Sequence, residues 1–265
     1  DVAPSRGLGD VYKRQFRMVG SSDNIGCPNS LLNAIVAGEL SEIADQMEGV
    51  SAEKFDDELK ALLVKIIKEH KRVIFNGNGY SQEWVEEAAR RGLPNFKSTV
   101  DCVPHYADPK NVALLEKFGV LSEKEINARM EVLLENYAKT INIEALTMID
   151  MAKKKYIPTC IAYTKELCDS VAVKKSLDIC PCVEKELAEK VSALTKAAYE
   201  ATGKLEEAVA DAAAKESCVL EMAKAYRSEV IPVMDALREA VDSLEVIAPS
   251  EKWPVPAYSD IIFNV

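Results

Sequence analysis

The sequence predicts a mainly α-helical protein. Three observations carry that expectation. Apolar residues recur every three or four positions through most of the chain, which is the period of a helix with one buried face. The last third holds two heptad runs of about thirty residues each. Strand-like patterning is confined to two short stretches, FRMVG (16–20) and RVIF (72–75). The 265 residues suffice for one large domain or two small ones with a sizeable core.

FRMVG is expected to be a short strand, and SSDNIGCPN after it a loop rich in turn formers. SLLNAIVAGELSEIADQM then places Leu32, Ile35, Val36, Leu40, Ile43 and Met47 on a helical stripe, with Gly49 as its stop. Ser51 is the expected cap of the next helix. Glu53 and Asp56 fall in its first turn, and Leu59, Leu62, Leu63, Ile66 and Ile67 on its buried face. RVIFNGNGYSQEW reads as a three- or four-residue strand, a Gly-Asn-Gly turn and an N-cap at Ser81. Asp108 then caps a helix with Pro109 at its first position, where a missing N–H costs nothing.

Ser122 and Glu125 form a capping box for a long helix. Its expected stripe is Ile126, Met130, Leu133, Tyr137, Ile141, Ala145, Met148 and Ala152. The two heptad sets follow. Leu187, Val191, Leu194, Ala198, Ala201, Leu205, Ala208 and Ala212 make the first. Val219, Ala223, Tyr226, Val230, Val233, Leu237, Ala240 and Leu244 make the second. Joined by a short link near Lys215–Ser217, they read as an antiparallel coiled-coil hairpin over about 183–247, close-packed because of its alanines. Pro232 is expected to kink the second helix. The ending, KWPVPAYSDIIFNV, reads as extended, apolar and packed onto the body or a neighbour.

Composition narrows the function classes. A balance of 33 basic against 43 acidic residues gives a net charge of −10, the wrong sign for phosphate backbones and anionic lipid surfaces. Neither nucleic acid nor membrane is therefore an expected partner. No apolar run reaches the ~18 residues of a membrane span, and the start has no signal-peptide core. Seven cysteines, an odd number, predict a reducing compartment rather than a disulfide framework. A cytoplasmic location follows.

Several motifs invite a sharper chemistry than their spacing supports. Asn76-Gly77-Asn78-Gly79 lacks the Lys and Ser/Thr of a phosphate loop and the third glycine of a dinucleotide fingerprint, so a tight turn is the better reading. Cys180-Pro181-Cys182 supplies two of the four ligands zinc needs, with His70 and His105 far off in sequence. Glu131, Glu135, Glu144 and Asp150 share one helix and could pair for proton transfer, although exposed charge is commoner there. Arg17 lies between apolar neighbours in a strand. Period two allows it to face solvent, which is the commoner outcome for such a residue.

The first fifteen residues stand apart. Ser5 to Gln15, SRGLGDVYKRQ, back-translates codon by codon into a string resembling a transposase-based sequencing adapter. Residues 1–15 are accordingly expected to be a non-native leader, and Phe16 the first native residue.

From Phe16 onward the chain resembles a known family. FRMVGSSDNIGCPNSLLNAIVAGELSEIAD resembles the end of the glutamine synthetase catalytic domain: its last active-site strand, a Pro-Asn loop and a helix. RVIFNGNGYSQEWVEEAARRGLPNFKSTVD, ENYAKTINIEALTMIDMAKK and WPVPAYSDIIFNV resemble the C-terminal region of type III glutamine synthetases. The resemblance implies the last strand and helix of a truncated α+β catalytic domain over 16–49, and a type-specific helical region over 50–265. It implies ATP-dependent ligation of ammonia to glutamate through γ-glutamyl phosphate, with Mg²⁺ or Mn²⁺ binding the phosphates. It implies homo-oligomers of stacked rings in the whole protein, with the helical region in inter-subunit contacts. In such a strand the pattern is Glu-x-Arg. Arg17 matches the arginine, which faces glutamate and the transferring phosphoryl group, because guanidinium meets phosphate oxygens in a fork. Gln15 stands where the metal-binding Glu belongs, at the last codon of the adapter-like leader, and is not counted as a site. The other metal, ATP and ammonia groups are expected upstream, leaving the fragment inactive. Two rival readings stay open: a non-enzymatic helical coiled-coil scaffold, and a glutamate–amine ligase using another amine.

Overall fold

The computed structural model describes residues 24–256 and 261–262. Among these residues it is mainly helical and has no strand. The expected strand at 16–20, Arg17, Gln15 and the leader lie outside the described residues. Two compact units emerge: one from the described residues up to Phe96 together with His105–Asn127, the other from Lys97–Pro104 with the described residues from Ala128 onward.

In the first unit, α1 spans Gly26–Met47, α2 Phe55–Glu69 and α3 Gln82–Arg90. The short α4, Thr99–Cys102, belongs to the second unit, and α5, Pro109–Lys117, returns to the first. Gly49 ends α1 as expected, at φ +80°, a conformation that costs a side-chain-bearing residue about 1 kcal/mol.

The buried face of α1 differs from the expected stripe. Leu31, Ala34 and Gly38 face inward, and Ala34 clusters with Leu115 and Ile126. Ile35, Val36 and Leu40 are 50%, 55% and 59% exposed. The cause is the closeness of α5: a Cβ added at Gly38 would sit 2.7 Å from Leu114 Cδ1, so small residues hold this contact and the larger ones are turned away. In α2, Leu62 is buried as expected, while Leu63 and Ile67 are exposed. Ser51 does not cap α2. It accepts the Lys54 N–H through its own carbonyl, closing a turn, and the helix starts at Phe55 with Asp56, Asp57 and Glu58 in its first turn.

The expected strand at 72–75 is also absent. Lys71–Val73 forms a single 3₁₀ turn. With no neighbouring strand among the described residues to complete a ladder, a side chain takes that role: Arg91 Nη1 donates to the carbonyls of Ile74 (2.7 Å) and Arg72 (3.1 Å). Phe75 stacks on Trp84 at 4.3 Å between centroids, pinning the Gly-Asn-Gly turn against α3.

Then comes α6, Glu123–Met151, with the expected capping box at its start. The Ser122 N–H donates to Glu125 Oε2 at 2.8 Å, and the Glu125 N–H to Ser122 Oγ at 3.4 Å. Its buried stripe matches the expected one except at Leu133, which is 40% exposed while Leu134 is buried. In the second unit the chain continues as α7 (Ile157–Ser176), α8 (Cys182–Ala213), α9 (Val219–Ala225) and α10 (Ile231–Glu245). The core cluster is built mainly on α8, with α7 and α10 packed along it.

Every residue of both heptad sets is buried or half-buried. Four further residues of α8, Ala188, Thr195, Thr202 and Val209, are buried too. They recur every seven positions beside the first stripe, because α8 meets a helix on each of two sides and needs a wider buried face. Both threonines satisfy their hydroxyls within the helix, donating to Val191 O and Ala198 O at 2.7 Å.

Pro232 does not break its helix. Just before it, Tyr226–Val230 forms a π-helical turn in which Ile231 N–H reaches back to Tyr226 O. The same device precedes Pro158: Ala152–Tyr156 is a π turn and Ile157 N–H bonds Ala152 O. A proline ring clashes with the carbonyl four residues back, and widening the preceding turn makes room for it.

Candidate functional site

Among the described residues, the structure does not gather the candidates read from the sequence into one place. Glu135 pairs with Lys139 at 2.7 Å and Asp150 with Lys154, so these acids of α6 are spent in surface ion pairs. Glu131 and Glu144 are exposed on the same helix. His105 stacks on Phe96 and meets Asp108 through Nδ1 at 3.0 Å. His70 simply closes the C-terminus of α2, its N–H on Ile66 O. Around Asn76–Gly79 the turn is closed by local bonds: Asn78 Oδ1 accepts the Tyr80 N–H, and Ser81 Oγ donates to Asn78 O. A Cβ at Gly77 would lie 2.6 Å from Phe75 Cζ, so the ring would have to shift to admit one. Cys180 and Cys182 are joined to each other as a disulfide.

In the second unit a groove of about 350 Å³ lies between the end of α6 and α10. Met148, Met151, Tyr156, Leu237 and Val241 form its apolar floor, with Arg238, Asp242 and Glu245 on its rim. The C-terminal segment reaches it through Val255 and Pro256, and Trp253, 8% exposed, stacks on Tyr156 at 5.2 Å. The ending thus packs onto the body at Trp253, as expected from the sequence, while the groove beside it was not foreseen. Burial, then the negative charges of Glu245 and Asp242, push the Tyr156 phenol above its ordinary range. It stays neutral at neutral pH and serves as a packing group. Burial likewise raises the Cys160 thiol, only partly offset by the Thr195 hydroxyl, so it is no ready nucleophile.

A divalent cation needs several oxygen ligands converging on one point. Among the described residues no group of three or more His, Cys, Asp or Glu could hold one. The described residues therefore do not fit a Mg²⁺ or Mn²⁺ site built from three such groups. No helix among them is long and apolar enough to cross a membrane.

Residues 58–175, from α2 to the end of α7, match the family described as the glutamine synthetase C-terminal domain. Three relatives extend that match over nearly the whole chain. A glutamine synthetase of Butyrivibrio fibrisolvens is 36% identical over 86% of this chain. A type-3 glutamine synthetase of Dictyostelium discoideum is 34% identical over 95%, and a glutamine synthetase of Bacteroides fragilis 30% over 94%.

This chain belongs to the glutamine synthetase family.

It spans about a third of the length of the curated relatives it matches: 33%, 35% and 35% of the three.

Proposed function

We propose that the chain is the C-terminal part of a type III glutamine synthetase. In the whole protein ATP would phosphorylate the side-chain carboxylate of glutamate, and ammonia would displace phosphate to give glutamine. The supporting observation is that 95% of this chain aligns with only 35% of a type-3 relative, so most of such a protein lies in segments not represented here.

Within this reading, residues 16–49 end the catalytic domain, 50–265 are the type-specific helical region, and residues 1–15 are a leader foreign to the protein. The α8 and α9–α10 stretches form the antiparallel coiled-coil hairpin of about 183–247. ATP, Mg²⁺ or Mn²⁺, glutamate and ammonia are handled by the whole protein in the cytoplasm, as homo-oligomeric stacked rings to which the helical region contributes contacts. Arg17 is the one side chain of this sequence assigned to the reacting groups, facing glutamate and the transferring phosphoryl.

Two assays of the complete reading frame test this. Glutamine should be the product with ammonia as amine donor, and a preference for methylamine or a larger amine would replace synthetase with another glutamate–amine ligase. Arg17→Lys should lower turnover by roughly 100-fold or more while shifting the melting temperature little, because lysine offers a point charge and no fork. Equal small effects on both would return Arg17 to a solvent-facing strand position.

A further inference from the structure

Cys180-Pro181-Cys182 occupies the turn between α7 and α8, and neither the family match nor the proposed chemistry gives it a task. The match ends at residue 175, just before it. The two cysteines are disulfide-bonded with Cα atoms 5.5 Å apart, and both residues are exposed. Of the five remaining cysteines, Cys27, Cys102, Cys168 and Cys218 are exposed free thiols and Cys160 is buried. Structural disulfides resist reduction when they are shielded, whereas exposed ones exchange with solution thiols. A bond closing a three-residue loop also constrains the unfolded chain little, so it adds little stability compared with one spanning a long loop. What remains for this pair is chemistry.

We propose that Cys180 and Cys182 are a reversible dithiol–disulfide site that exchanges with a low-molecular-weight disulfide of the glutathione class. Cys182 leads. It is the first residue of α8, a 32-residue helix, and the partial positive charge at a helix start favours the thiolate. The Cys182 thiolate attacks one sulfur of the oxidised tripeptide, forming a mixed disulfide and releasing one glutathione thiolate. The Cys180 thiolate then attacks the Cys182 sulfur, closing the intramolecular bond and releasing the second. Two electrons pass from the cysteine pair to the small disulfide, and the two cysteine protons end on the two released thiolates. Reduction by excess glutathione runs the same steps backwards.

The test equilibrates the full 265-residue chain in buffers of stepped reduced-to-oxidised glutathione ratio, quenches with acid, alkylates and maps peptides by mass. The peptide holding Cys180 and Cys182 should pass from doubly alkylated to internally bonded within that series. The peptides of Cys102, Cys168 and Cys218 should remain alkylated or carry glutathione singly. A Cys180–Cys182 peptide that stays doubly alkylated throughout, or that stops at a single glutathione adduct, overturns the proposal. Stopped-flow on single variants checks the order of attack. Cys180→Ser should accept glutathione at Cys182 about tenfold faster than Cys182→Ser accepts it at Cys180, and equal or reversed rates remove Cys182 from the leading role. Melting curves of both variants, expected to match the parent, show that the rates compare folded chains.

Discussion

The two units differ in how far they bury their own apolar residues. In the second, α8 lies between α7 and α10 and its inward side chains are almost completely enclosed: Val191 is 1% exposed, and Ala198, Leu205 and Ala212 are fully buried. In the first, α1 and α2 display large apolar side chains to solvent, with Ile35, Val36, Leu40, Leu63 and Ile67 all at least 45% exposed. Both sets of helices have similar apolar periodicity in sequence. Periodicity marks the face a helix can cover: α8 has that face covered within this chain, whereas α1 and α2 leave these residues in solvent, as α6 and α7 leave Ile143 and Ile161.

The two tryptophans allow each unit to be followed separately, since Trp84 belongs to the first and Trp253 to the second. The largest effect is expected for Leu205→Ala, which removes a fully buried side chain at the centre of α8. It should destabilise the transition seen by Trp253 by about 2–5 kcal/mol. A loss below about 1 kcal/mol would mean the bundle is far looser than its burial implies. Next is the tail: Trp253→Ala, followed by circular dichroism, should cost roughly 3 kcal/mol, because the ring is buried against Tyr156. A much smaller cost would show the tail held by its other contacts, such as Lys252 with Glu166.

The segment that replaces the expected strand should respond to acid. The side-chain bond from Arg91, then that from Arg90, holds the Glu87 carboxyl below its ordinary value. A carboxyl depressed in the folded state contributes stability above its unfolded pKa and loses it as pH falls through the lower folded value. Trp84 fluorescence in a Trp253→Phe background should therefore report loosening as pH drops below the usual carboxylate range. In Glu87→Gln that pH step should vanish. An unchanged step would assign it to other acids.

The smallest effect in this chain is expected for Leu40→Ala, less than about 0.5 kcal/mol, because the side chain is 59% exposed. In the complete protein the same substitution should cost about 2 kcal/mol or more, if the rest of the catalytic domain covers that face. Equal small effects in both settings would make the exposed face of α1 a true surface.

How much was legible follows the same division. Both heptad sets, the Ser122–Glu125 capping box and the Gly49 stop were readable because each rests on contacts within one helix or between sequence neighbours. The extra stripe of Ala188, Thr195, Thr202 and Val209 was not, since it exists only because α8 meets helices on two sides. On α1 the difference has the opposite cause: the large residues suggest the core face, but small Ala34 and Gly38 make the contact with α5. Pro232 is conspicuous in the sequence while the π turn just before it is not, because that turn forms around the ring within a continuous helical stretch. The candidate site was legible only as a family resemblance. Spacing alone leaves Arg17 undecided, and the residues described by the structure bring no catalytic group together.

The most direct test is ATP- and glutamate-dependent ammonia consumption, measured side by side for the complete reading frame and for this 265-residue chain. Turnover that requires both substrates is expected of the complete protein, and none of the chain alone. Turnover by the isolated chain, or none by the complete protein with Mg²⁺ or Mn²⁺ supplied, would contradict the assignment of this chain as a non-catalytic piece of a glutamine synthetase.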